Sequence, residues 1–174
     1  MLNKKTEFIC AICNKLDMSL IMDFGEVALA GAFLKPENFA KEKKFPMRLC
    51  FCNNCFTVQV VDKIDPKIMF QDYFYFSSSI ETLCNHFKEY AKEVTSRFLN
   101  PSESTVIEFG CNDGVLLKPL ADEGIKNIIG VDPAKNVVSS INDDRIKIKS
   151  NYFTEEVARE IVSEYGQVDM IMAN

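Results

Sequence analysis

No stretch of this 174-residue chain approaches the ~18 consecutive apolar residues of a membrane-crossing helix, so an integral membrane protein is not expected. An amino-terminal apolar run behind a basic head is also missing, which leaves a cytoplasmic protein without a secretory leader as the expectation. Basic residues are in deficit: 20 Lys and Arg face 25 Asp and Glu, for a net charge of -5. Neither nucleic acid nor an anionic membrane surface is therefore expected as a partner. The single histidine, His86, falls beside the apolar stripe of a helical segment, where a structural or surface role is expected rather than a catalytic one. Internal repeats and low-complexity tracts are lacking as well. What remains is 47% hydrophobic residues, enough to bury the core of one ordinary domain or two small ones.

Cysteine is plentiful by contrast. Four of the seven cysteines form two pairs, Cys10-x-x-Cys13 and Cys52-x-x-Cys55, which in a reducing compartment points to a metal rather than to disulfides. Two such knuckles brought together make a tetrahedral S4 zinc site, with Zn–S distances of about 2.3 Å. Such a site has no open coordination position, so the zinc is expected to be structural. The spacing leaves one ambiguity, because Cys50 could take the place of Cys52. A module of about 60 residues buries too little apolar surface to fold reliably alone, and the metal would supply the missing free energy. Around the knuckles, residues 48–51 and 57–61 read as strands, residues 23–34 as a strand and loop, and Lys41 to Lys44 as a solvated loop tip.

The second half alternates regularly. Strands are expected at 105–109, 127–132, 145–148 and 168–173, with helices at 114–123, 134–141 and 154–165, the βαβ pattern of a doubly wound parallel sheet in the order 3-2-1-4. The first strand runs into Glu108-Phe-Gly-Cys-Asn-Asp-Gly114, a turn whose glycines let a ligand approach the backbone and whose Asn112 and Asp113 are expected to cap the following helix. Gly110-x-x-x-Gly114 differs from a dinucleotide-binding Gly-x-Gly-x-x-Gly run. With Glu108 before it, the turn resembles the acidic-x-Gly-x-x-x-Gly loop of S-adenosylmethionine (AdoMet) methyltransferases, in which the methionine portion lies over the turn. Asp132, 22 residues after Gly110, ends the second strand where a carboxylate can accept from ribose hydroxyls. Before the sheet, Pro66 opens a short helical turn and Leu83, Phe87, Tyr90, Ala91, Val94 and Phe98 mark a helix ended by Pro101. Between them, Tyr73-Phe-Tyr-Phe-Ser-Ser-Ser79 reads either as a site loop with phenol hydroxyls or as an aromatic packing cluster.

In this order, the cysteine pairs, Phe45-Pro-Met, Tyr73-Phe-Tyr-Phe-Ser-Ser78, Glu108-Phe-Gly-Cys-Asn-Asp-Gly114 and Gly130-Val-Asp-Pro133 resemble the amino-terminal part of sugar C-methyltransferases acting on nucleotide-linked deoxysugars. The resemblance implies a zinc-binding module at 1–62, a linker with the aromatic-serine loop and helix at 63–101, and the first half of a Rossmann-like methyltransferase sheet at 102–174. It implies that Cys10, Cys13, Cys52 and Cys55 bind zinc, and that Glu108, Gly110, Asn112, Asp113, Gly114 and Asp132 hold AdoMet. Tyr73 and Tyr75 become the catalytic candidates that reach a nucleotide-sugar substrate. Phe56 departs from the family's usual glycine after the last cysteine. The family continues beyond the equivalent of Asn174 into a domain with a His/Glu base, so a fragment completed by a carboxy-terminal part or a partner chain is expected. The rival expectation is a non-catalytic zinc-stabilised binding or assembly module.

Overall fold

The computed structural model describes residues 5–31, 33–70 and 73–174. The chain divides into two compact units, one ending at Met69 and the other running from Phe70 to Asn174. Among the described residues, no helix is long and apolar enough to cross a membrane.

The first unit is an antiparallel sheet of β1 (Lys5–Thr6), β2 (Met18–Ala28), β3 (Lys44–Cys52) and β4 (Val58–Val60), in chain order. The β2–β3 ladder slips register between Leu20 and Met22 and again between Asp23 and Glu26, where Gly25 takes a φ of +71°. A 3-10 turn, Pro36–Lys41, lies in the connection, and Lys41 to Lys44 are exposed as expected. The core is small: Cys10, Met18, Cys50 and Cys52, flanked by Phe8, Leu20 and Val61. Apolar burial of that size leaves little to offset chain entropy, so the cysteines are also the centre of its stability. At the other end of the β3–β4 pair, the backbone N–H of Arg48 donates to Asp62 at 2.7 Å and its guanidinium pairs with the same carboxylate. The Arg48 hydrogen bond holds the Asp62 carboxyl below its usual range.

Helix α1 (Pro66–Phe70) follows, its first turn closed by the Lys67 N–H donating to the Asp65 carboxylate at 2.9 Å. In the second unit, α2 (Glu81–Phe98) buries Phe87, Ala91, Val94 and Thr95 along one stripe. Four parallel strands succeed it, β5 (Thr105–Phe109), β6 (Asn127–Val131), β7 (Ile146–Lys149) and β8 (Met170–Met172), with α3 (Leu117–Asp122), α4 (Lys135–Val138) and α5 (Glu155–Tyr165) between them. The order is β7-β6-β5-β8, the expected 3-2-1-4. Alternate strand residues serve opposite faces: Val106 and Ile128 pack with α2 and α3, while Ile107, Ile129 and Val131 pack with Val157 and Ile161 of α5. The fold is thus α/β, a cysteine module followed by a doubly covered parallel sheet.

Two helices are shorter than the sequence suggests. Helix α3 begins at Leu117 rather than Gly114, because Gly114 has a φ of +74° and belongs to the turn. Helix α4 covers only Lys135–Val138; beyond it, the Ser139 and Ser140 hydroxyls donate to the backbone carbonyls of Asn136 and Val137. Such local bonds compete with helix continuation.

Candidate functional site

The Sγ atoms of Cys10, Cys13, Cys52 and Cys55 lie within 4.8 Å of one another. Cys10 approaches Cys55 at 3.6 Å, and Cys13 approaches Cys52 at 3.5 Å, so each contact joins one knuckle to the other. Each knuckle is a tight turn whose backbone N–H points at sulfur: Ile12 donates to Cys10 at 3.4 Å and Cys55 donates to Cys52 at 3.5 Å. The backbone N–H of Cys13 leads the effects that lower the Cys10 thiol to about 6. The Cys52 thiol of the same cluster is instead raised to about 11, because the Cys55 backbone N–H is outweighed by burial and by contacts with the Cys13 and Cys55 sulfurs. Cys50 is buried in the same core but is not one of the four clustered sulfurs, which removes the ambiguity between Cys50 and Cys52. Phe56 sits at φ +64°, the left-handed backbone that favours glycine, and its N–H still closes the turn onto the Cys52 carbonyl at 2.9 Å. Four soft thiolates in a closed set fit zinc and leave no ligand position for water or substrate.

The second site is a cavity of about 350 Å³ in the unit from Phe70 onward. That volume lies within the ~300–1,000 Å³ range of small-molecule sites. Its floor is the carboxyl end of the sheet. Gly110 (φ +72°) donates its N–H to the Val131 carbonyl at 2.8 Å, and a Cβ at this position would meet nothing within 4 Å, so the turn offers an open backbone cradle. Asp132 lines the cavity and is 8% exposed. Its two carboxylate oxygens accept from the backbone N–H groups of Asn112 and Ala134, each at 2.9 Å, and retain lone pairs for a ligand.

Glu108 lies beneath this floor, 3% exposed. Its Oε1 accepts from the Asn174 side chain at 3.5 Å and its Oε2 has no hydrogen-bond partner among the described residues. Burial, with the Asp132 charge adding to it, raises the Glu108 carboxyl to about 7 against the weaker effect of the Asn174 bond.

Asn112 and Asp113 do not cap α3, whose N-cap position is Leu116 with no side-chain bond. Their side chains instead reach across 35 residues to the aromatic-serine segment. Asn112 Oδ1 accepts from the Ser77 N–H at 3.0 Å, its Nδ2 donates to the Tyr75 carbonyl at 3.0 Å, and Asp113 accepts from the Ser78 N–H at 3.1 Å. Asn136 adds a third attachment, accepting from the Tyr73 N–H at 3.3 Å and donating to its carbonyl at 2.6 Å. Residues 73–78 are thereby strapped to the loop after β5 and to helix α4, and Tyr73 and Tyr75 form a cavity wall with Phe70. The two tyrosine rings meet edge to face at 6.4 Å.

Of the residues the sequence singles out, Gly110, Asn112, Asp132, Tyr73 and Tyr75 line the cavity. Glu108, Asp113 and Gly114 lie just outside the lining; Asp113 is 1% exposed and committed to Ser78. His86 is exposed on α2, stacked on Tyr90. The sequence reading missed Asn136 and the cavity-lining Tyr152. Tyr152 follows the end of β7, and ligands of parallel sheets bind at strand carboxyl ends, so that rule could have flagged it. Asn136 has no comparable local signal.

An S4 knuckle cluster able to hold a zinc ion and a parallel sheet with a cradle at the end of its first strand define an α/β protein with two candidate sites. Residues 84–174, more than half of the chain, match a family model described as "Methyltransferase domain", and the chain belongs to that family. Residues 10–70 match a second model, described as "Putative zinc binding domain". The chain is also similar to the C-methyltransferase NovU of Streptomyces niveus, with 29% identity over 163 residues, 93% of this chain. It spans 39% of that relative's length.

Proposed function

We propose that this chain is the zinc-module and cofactor-binding part of an AdoMet-dependent C-methyltransferase acting on a nucleotide-linked keto-deoxysugar. The observation that carries the reading is the cavity between the open Gly110 cradle and the tyrosine wall, with the buried Asp132 carboxylate facing into it. AdoMet would supply an electrophilic methyl group on a sulfonium. In this reading the Gly110 turn supports the methionine portion and Asp132 accepts from the ribose hydroxyls. Glu108, buried beneath the turn, backs it from outside the lining, and Asn112, Asp113 and Gly114 fix the turn and the strap. Tyr73 and Tyr75 orient the sugar with their phenol hydroxyls and shield the cavity from water. Cys10, Cys13, Cys52 and Cys55 hold a structural zinc. The carbon target rests on the NovU similarity, and the sugar rests on the family resemblance carried by the Tyr73-x-Tyr75 and Glu108–Gly114 motifs. A cytoplasmic setting fits both reduced cysteine pairs and a nucleotide-sugar substrate.

Titration calorimetry of AdoMet into metal-replete protein tests the reading. One-site binding is expected, weakened at least about tenfold by Asp132→Ala, since a hydrogen bond to a charged group is worth about 1.5–3 kcal/mol. No binding to the metal-replete wild type would sink it in favour of a non-catalytic zinc-stabilised module.

A further inference from the structure

Beyond its four sulfurs, the knuckle cluster has an organised polar surround that comes from one short stretch of chain. Gln59 donates its amide Nε2–H to the Cys10 Sγ at 3.2 Å, while its Oε1 accepts from the Ala11 N–H at 2.9 Å. A backbone N–H can only donate, so the second bond fixes which way the amide points, with its NH₂ toward sulfur. Two residues earlier, the Thr57 hydroxyl lies 3.3 Å from the Cys55 Sγ. With a metal bound, Cys55 is a thiolate that can only accept, and the hydroxyl becomes the donor. Thr57 and Gln59 are half-buried, whereas Val58 and Val60 are 53% and 48% exposed, so the period-two alternation of β4 and of the residue leading into it turns both polar side chains toward the cluster. The backbone fixes their register: Gln59 pairs with Cys50 in the β3–β4 ladder and the Thr57 carbonyl accepts from Cys52 N–H at 2.9 Å.

We propose that Thr57 and Gln59 form an outer-sphere pair for the S4 metal centre, each positioning and partly neutralising one thiolate, Cys55 in the second knuckle and Cys10 in the first. Four thiolates around a divalent ion leave a net charge of about -2, and hydrogen bonds to sulfur are the means a protein has to hold that excess without a further cation. Because Cys10 and Cys55 belong to different knuckles, the pair also ties the two halves of the cluster together through one strand. The inference rests on the metal reading of the four cysteines and is independent of what the second unit binds.

Cobalt substitution tests it with the variants Thr57→Val, Thr57→Ser and Gln59→Leu. The expected result is that all three take up one cobalt per chain with tetrahedral d–d bands. Thr57→Val and Gln59→Leu shift the sulfur-to-cobalt charge-transfer bands and lose zinc to excess chelator roughly tenfold faster. Iodoacetamide mapping should then find Cys55 labelled first in Thr57→Val and Cys10 first in Gln59→Leu, while Thr57→Ser behaves as wild type. Unshifted bands with wild-type release rates would overturn the proposal, as would one shared labelling order in both variants, which is the mark of general loosening. If Gln59→Leu does not fold, the contrast between Thr57→Val and Thr57→Ser decides. A wild-type chain that takes up no cobalt one-to-one overturns the proposal together with the metal reading.

Discussion

Glu108 is protonated over an unusual range, because burial raises its carboxyl from an ordinary 4.5 to about 7. The consequence for stability has a definite sign. An acid with a raised folded-state value helps the fold fully below pH 4.5, and that help declines as pH rises toward about 7, above which it is gone. A shift of this size corresponds to roughly 3 kcal/mol. Glu108→Gln should therefore raise the melting temperature at pH 8 and leave it nearly unchanged at pH 4, as thermal melts across that range would show. An equal effect at both pH values would mean that burial of the charge is not what Glu108 costs. Single residues also mark the limit of sequence reading. Cys10, Cys13, Cys52 and Cys55 are legible because the knuckle is a local pattern. Asn112 and Asp113 are not, because a helix cap and a tether to Ser77 and Ser78 use the same side-chain oxygens, and only the fold brings residues 35 positions apart within 3.1 Å.

The strands were readable as elements for a physical reason. Thr105–Phe109 and Asn127–Val131 are covered on both faces, and such strands read as short continuous apolar runs bounded by turn residues. Helix ends were less readable, as the late start of α3 shows. Among the glycines, Gly130 on β6 has the least room: a Cβ there would lie 2.7 Å from Leu117 Cδ1, 2.8 Å from Cys111 Sγ and 2.9 Å from Ile148 Cδ1. Three side chains from three different segments would have to yield together. Gly130→Ala is expected to cost about 1–3 kcal/mol in denaturant unfolding. Cys111→Ala, which removes one of the three contacts, should recover part of the loss in the double variant. Full additivity of the two changes would show that Cys111 is not part of the constraint.

The two compact units are held by different means. The first is centred on cysteines and a handful of apolar side chains, and the second on two apolar clusters that cover both faces of its sheet. Metal removal should therefore act unequally. With a strong chelator at neutral pH, amide exchange in β2, β3 and β4 is expected to accelerate toward that of unfolded chain, while β5 and β6 keep their protection. Loss of protection in both sets at the same chelator concentration would contradict separate stabilisation.

The strap across the tyrosines has a bearing on time as well as on shape. Residues 73–78 are made before any of the side chains that hold them: Asn112 and Asp113 come 35 residues after Ser77 and Ser78, and Asn136 comes 63 residues after Tyr73. Long-range contacts form only once the chain between them has collapsed. The aromatic wall is thus an early product of synthesis that is placed late, idle until the sheet behind it exists. In pulse-labelled refolding the amides of Tyr73, Ser77 and Ser78 should gain protection after those of β5 and β6, and protection in the reverse order would show that the aromatic segment organises itself.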